Sequence, residues 1–177
     1  TCNEAILINY LLEKASSREE KMYLLNHFME QFRATLYRQT MFAEFEKIIH
    51  EKAEAGEPLN AEVLQEIYHK LNEDYYGPDI YIDSLIDYEW ARIPHFYSSF
   101  YVYKYATGFS SAIAISKDIM ENGMPAVNAY KEFLSSGSSD YSLELLKKLG
   151  VDLTTPKPIQ DALDVFEKLL DEFEKLL

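Results

Sequence analysis

The chain of 177 residues is 47% hydrophobic, enough for a real core and unlike a disordered tail. It carries 17 Lys and Arg against 30 Asp and Glu, a net charge of −13. Such a chain repels phosphate backbones and anionic lipid, so neither nucleic acid nor a membrane is an expected partner.

Six Gly and six Pro leave few turns to build, which favours long helices over many short strands. One cysteine, Cys2, permits no intramolecular disulfide and no Cys-rich metal site. It suits a reducing compartment, and a cytoplasmic setting is expected. No apolar run reaches the length of a membrane span. The chain opens Thr1-Cys2-Asn3-Glu4, without Met and inside a helical pattern, so its natural start is expected upstream.

From Cys2 to Lys14, Ala5, Ile6, Ile8, Leu11 and Leu12 recur at helical spacing. Ser17 and Glu20 fit a capping box that starts the next helix. That helix is expected to be very long, about 18–55. Its apolar line runs Met22, Leu25, Phe28, Met29, Phe32, Leu36, Met41, Phe42, Phe45, Ile48, Ile49, with Gly56 as the stop. A helix of about ten turns is stable only with neighbours packed along it.

Asn60 is placed to cap a helix from Ala61 to about Asp74. Ser84 to Arg92 reads as a short helix ending before Pro94. A helix from about Ser99 to Glu121 follows, small in its middle at Ala106, Gly108, Ser110, Ser111, Ala112 and Ala114. Asn122-Gly123 stops it, and Pro125 suits the first turn of a helix reaching Leu134. Ser135 to Asp140 is a polar loop. Helices over Tyr141–Leu149 and Ile159–Leu177 complete the chain. Neither a repeat nor a boundary is visible, and residues 1–177 read as one all-α unit.

Few residues invite chemistry. His50-Glu51-Lys52-Ala53-Glu54 has the outline of a zinc-binding helix, but Glu54 stands where a second His belongs. At the polar end of a long helix it reads as solvated surface. His27 and His69 read as structural. The carboxylates of Glu44 and Glu46, and of Asp171, Glu172 and Glu174, read as exposed-face groups that an acidic chain supplies by chance. No phosphate-binding, nucleotide-binding, nucleophile-elbow or CxxC motif occurs.

The stretch Glu89–Gly108 differs. It holds the only Trp, and it sets His95 beside Tyr97, Tyr101, Tyr103 and Tyr105. An imidazole donates to an oxyanion, and a phenol of pKa about 10 stays a donor at neutral pH. The same residues also fit an aromatic core with polar tips. The loop position of His95 and Ser98-Ser99 after Pro94 favours a site.

The stretch Pro94-His95-Phe96-Tyr97 with Phe100-Tyr101-Val102-Tyr103-Lys104-Tyr105-Ala106-Thr107-Gly108 resembles the C-terminal portion of oligoendopeptidase F, a zinc metallopeptidase family of the thimet oligopeptidase superfamily. Thr1–Ala5, Phe32–Glu46, Ser135–Tyr141 and Pro158-Ile159 extend the resemblance over the whole chain. It implies a largely helical fold with a deep channel, and short peptides as substrates, because such a channel excludes folded proteins. Catalysis in the family uses HExxH and a Glu on a following helix to hold zinc.

No HExxH is present here, so the resemblance implies that the zinc ligands lie upstream of Thr1 and that this chain holds none. Glu4 either supports a ligand of that zinc without touching the metal or is structural, and structural is favoured. His95 matches the family's substrate-binding His. Ser98-Ser99 stand where distant relatives have Gly-Gly, and Phe100 where they have Tyr. Tyr101 or Tyr105 is then the expected oxyanion donor, with Tyr97, Ser98 and Ser99 binding substrate. The expected partner is the N-terminal part of the same polypeptide, and the chain alone is expected to be inactive and prone to self-association through exposed apolar surface. The alternative is a non-catalytic helical peptide-binding or scaffold protein of the same descent.

Overall fold

The computed structural model describes residues 1–177. All of its regular structure is helical: α1 (Cys2–Lys14), α2 (Arg18–Gln31), α3 (Arg38–Glu54), α4 (Ala61–Tyr76), α5 (Tyr103–Asn122), α6 (Met124–Ser135), α7 (Ser142–Lys147) and α8 (Lys157–Glu174). A π-helical segment, Phe32–Tyr37, joins α2 to α3, and two 3-10 segments cover Ser84–Arg92 and Pro94–Tyr97. The chain packs as two compact units, Thr1–Arg33 with Thr107–Leu177, and Ala34–Ala106.

The helix expected over 18–55 is helical throughout but not α-helical throughout. Every step of its apolar line is one, three or four residues except Leu36 to Met41, which is five. The π segment accommodates it, since its i→i+5 hydrogen bonds hold an extra residue per turn. Leu36 and Met41 are both buried. At the N-terminus, Ser17 Oγ accepts from the Glu20 N–H at 3.1 Å. The returning Glu20 carboxylate takes the N–H of Ser16 at 2.9 Å, one residue earlier than a capping box places it. Gly56 closes the run at φ 75°, a conformation that favours a residue without Cβ.

In the first unit, α1 packs on α2 and α2 on α8. Phe32 meets Phe109 edge-on at 4.8 Å and Phe166 at 5.3 Å. Cys2, Ile115 and Val151 form a second cluster with Ile6, Ala112 and Tyr130 around them. Arg18, the first residue of α2, donates to the backbone oxygens of Leu176 and Leu177, just past the end of α8, at 2.6 and 3.0 Å.

The second unit carries the candidate site. Its core is Met41, Phe42 and Phe45 of α3, Tyr68 and Leu71 of α4, Ile93 and Val102. Asn60 caps α4 as expected, its Oδ1 accepting from the Val63 N–H at 2.9 Å. A buried carboxylate ties α3, α4 and the first 3-10 segment together. Glu89 accepts from Arg38 at 2.6 Å, from the Tyr68 hydroxyl at 2.6 Å, and from Arg92. Residues 84–92 were expected as a short helix and form the tighter 3-10 kind, with Asp83 accepting from the Leu85 N–H.

Candidate functional site

Apolar anchors set the position of His95. Ile93 before it is buried, and Phe96 after it packs on Phe42 and Phe45 at 5.6 and 5.3 Å. Between them Pro94 opens a 3-10 turn with its φ already near the helical value. The turn points His95 away from Phe96, half-buried at the edge of the core. The helix expected from Ser99 begins only at Tyr103. Residues 98–102 instead form a loop, tied by Ser98 N–H to the His95 carbonyl (3.0 Å) and Tyr101 N–H to the Ser98 carbonyl (3.1 Å). Fully buried Val102 then pins the start of α5.

Three of the sequence-nominated residues meet. The Tyr101 ring lies parallel to the His95 imidazole, centroids 5.3 Å apart and planes within 8°. Tyr105 approaches both rings edge-on, at 5.5 and 5.8 Å. Its hydroxyl is 3.1 Å from His95 Nε2. The neighbouring Tyr101 phenol, and then burial, push the Tyr105 phenol above its ordinary pKa, so it stays protonated through neutral pH. The Lys104 ammonium sits 5.2 Å from the centroid of the Tyr101 ring, within cation–π range. Tyr97, Ser98 and Ser99 are exposed beside this cluster in the chain, Tyr97 at 85%. Glu4 lies on α1 in the other unit and is exposed.

Two residues that the sequence pattern assigned to the surface belong to this region. Glu46, grouped with Glu44 as an exposed carboxylate, is 2% exposed, and its Oε1 accepts from the Phe100 N–H at 2.6 Å. Glu44 itself is exposed and accepts from the Tyr75 hydroxyl. His50, expected to be solvated, packs its ring on Phe100 with centroids 4.6 Å apart. Phe100 has φ 56°. A left-handed conformation costs an L-residue about 1–2 kcal/mol. The hydrogen bond to Glu46 contributes on the order of 1 kcal/mol and offsets much of it. The signal for Glu46 was present in the sequence: it lies four residues after Phe42 and three before Ile49, inside the apolar line.

Chemically, the cluster is a set of donors without a nucleophile: one imidazole and two phenols. Zinc, which the resemblance implies, finds no ligand set here, because no three His, Cys, Asp or Glu side chains are grouped to hold an ion. The nitrogen of His95 nearest other groups faces a phenol, and His69 faces Asp87 and Glu73.

The profile of Peptidase family M3 matches residues 1–165. The chain belongs to that family. Within peptidase family M3, it is 52% identical to oligopeptidase PepF of Bacillus subtilis (strain 168) across all 177 residues, which make up 26% of that relative. It is 44% identical, again over its whole length, to the plasmid oligoendopeptidase F of Lactococcus lactis subsp. cremoris, covering 30% of it. The crystal structure of oligoendopeptidase-F from Enterococcus faecium superposes with a TM-score of 0.94 at 46% identity, over 99% of this chain and 34% of that one. The chain thus spans between a quarter and a third of these M3 relatives, and the part it matches is C-terminal. The all-α fold read from the sequence is the fold of this region. No helix is long and apolar enough to cross a membrane.

Proposed function

We propose that this chain supplies the substrate-binding and oxyanion-stabilising side of a zinc metalloendopeptidase that hydrolyses short peptides in the cytoplasm. The proposal rests on one cluster: the Tyr105 hydroxyl 3.1 Å from His95 Nε2, with Tyr101 stacked on the imidazole. Of His95 and Tyr105, one donates to the other, and the donor left over serves a peptide carbonyl oxygen as it gains negative charge; a donor fixed in advance loses little on reorganisation. Tyr101 steadies both partners, its ring parallel to that of His95 and edge-on to that of Tyr105. Exposed Tyr97, Ser98 and Ser99 hold the substrate backbone.

Residues 1–177 offer no ligand set for the zinc, and our proposal gives it to the rest of the polypeptide. The isolated chain then cleaves nothing. Leu7, Tyr10 and Leu11 form an exposed apolar stripe on α1, which we assign to contact with the N-terminal part of the same polypeptide, self-association being the alternative.

His95→Ala in the full-length protein tests the proposal. Loss of one such donor lowers kcat by about 10²–10³-fold, with zinc content and KM little changed. Unchanged kcat removes His95 from the mechanism. Peptide binding by a full-length protein that hydrolyses nothing would turn the assignment to the non-catalytic alternative.

A further inference from the structure

The turn that carries the cluster is gripped by α3. Phe100 occupies the left-handed region, at φ 56°, which a residue with a Cβ avoids. Its N–H donates to Glu46 Oε1 at 2.6 Å. One helical turn along, His50 lays its ring against that of Phe100, planes inclined by 37°. Glu46 and His50, four residues apart, share a face of α3, so one side chain holds the main chain of Phe100 and the other holds its ring. Tyr101 comes next in the chain, its ring parallel to the His95 imidazole.

Packing alone gives no reason for a carboxylate at this depth. Well-packed apolar side chains of similar volume in place of buried charged pairs are often neutral or stabilising. The hydrogen bond of this buried carboxylate goes instead to the one strained residue of the loop.

We propose that Glu46, with His50, is a positioning residue of the site: its buried carboxylate fixes Phe100 in the left-handed turn and thereby aims Tyr101 at the His95 imidazole. This rests on the assignment of the His95 cluster to the oxyanion side of a peptidase.

The test uses the full-length protein. Glu46→Met fills the volume without an acceptor, and Glu46→Gln keeps an oxygen in place. Misplacement of a binding group by even 1 Å is costly, so Glu46→Met is expected to lower kcat about tenfold or more, with KM within about threefold. Glu46→Gln restores kcat to within about threefold of the parent. Amide exchange at Phe100 speeds up in the Met variant and not in the Gln variant. His50→Ala, which leaves the carboxylate alone, lowers kcat by about threefold.

A folded Glu46→Met protein with faster Phe100 exchange but parental kcat overturns the proposal. Should Glu46→Met not fold, His50→Ala decides, and parental kcat there overturns it equally. His95→Ala run alongside separates the two levels. Activity lost with His95→Ala but kept with Glu46→Met overturns the positioning role alone. Activity kept with His95→Ala overturns the site assignment itself.

Discussion

The ring of Phe96 lies 5.3 Å from that of Phe45, and this contact fixes where His95 stands. In a 3-10 turn, neighbours in sequence point in different directions. Burying Phe96 against α3 therefore turns His95 outward, toward Tyr101 and Tyr105. Stability and site geometry share one anchor. Phe96→Ala is expected to cost about 3 kcal/mol, the lower end of the range for a truncated Phe because the ring is only half-buried. It should also lower kcat in the fraction that stays folded. Phe96→Leu retains most of the contact and should recover most of both. Thermal unfolding and kcat, measured on the same samples, check the two halves.

Tyr105 and Tyr101 make separable contributions. Tyr105→Phe keeps the ring and deletes the hydroxyl 3.1 Å from His95. A fall in kcat of about 10²-fold is expected, with KM little changed. Tyr101→Phe keeps the parallel stack on His95 but removes the phenol group that is the main cause of the raised Tyr105 pKa. The alkaline limb expected from the Tyr105 phenol lies above the ordinary phenol range in the parent and should move down toward that range in Tyr101→Phe. A pH profile of kcat for the two variants shows whether the limb moves, and an unmoved limb assigns it to another group.

Much of this was legible in the residues, because helix formation and capping are local. The Asn60 cap, the Gly56 stop and the start of α2 at Ser17 follow from side-chain chemistry within four residues. The π segment was written in the sequence as the five-residue step from Leu36 to Met41. Glu46 was visible as a carboxylate inside an apolar line, but the partner that makes its burial tolerable, the Phe100 N–H, is 54 residues away. The left-handed Phe100 had no local signal, since Gly or Asn is the usual sign of that conformation. Its stabilisation comes from α3. The late start of α5 has the same origin: the loop to Val102 is set by anchors on α3 and by burial of Val102, not by propensity.

Asn60 gives a prediction independent of the site. Its Oδ1 satisfies the Val63 N–H, one of the open donors at the head of α4. Asn60→Ala should cost about 1 kcal/mol. Asn60→Asp retains the acceptor and adds a negative charge at the positive end of the helix, so stability should be equal or slightly higher. Paired urea titrations at neutral pH distinguish the two outcomes, and an Ala variant as stable as the parent removes the cap from the account of α4.

Glu89 is expected to contribute to the acid limit of the second unit. Burial pushes its carboxyl upward, but hydrogen bonds from Tyr68 and Arg38 and the charges of Arg38 and Arg92 outweigh this and hold it below the usual carboxylate range. Tyr68, pushed up by burial and by Glu89, remains the protonated donor. A carboxylate depressed in the folded state adds stability that is fully present above its unfolded pKa, about 4.3, and is lost as pH falls through the folded value. Urea stability should therefore decline below pH ~4.3, with Glu89 contributing to the slope. Glu89→Gln leaves Arg38 without its counter-charge and should cost about 2–3 kcal/mol at neutral pH. It should also flatten the decline between pH ~4.3 and the folded value, because the proton-binding group is gone. Retention of the full acid slope in Glu89→Gln would move the acid limit to another carboxylate.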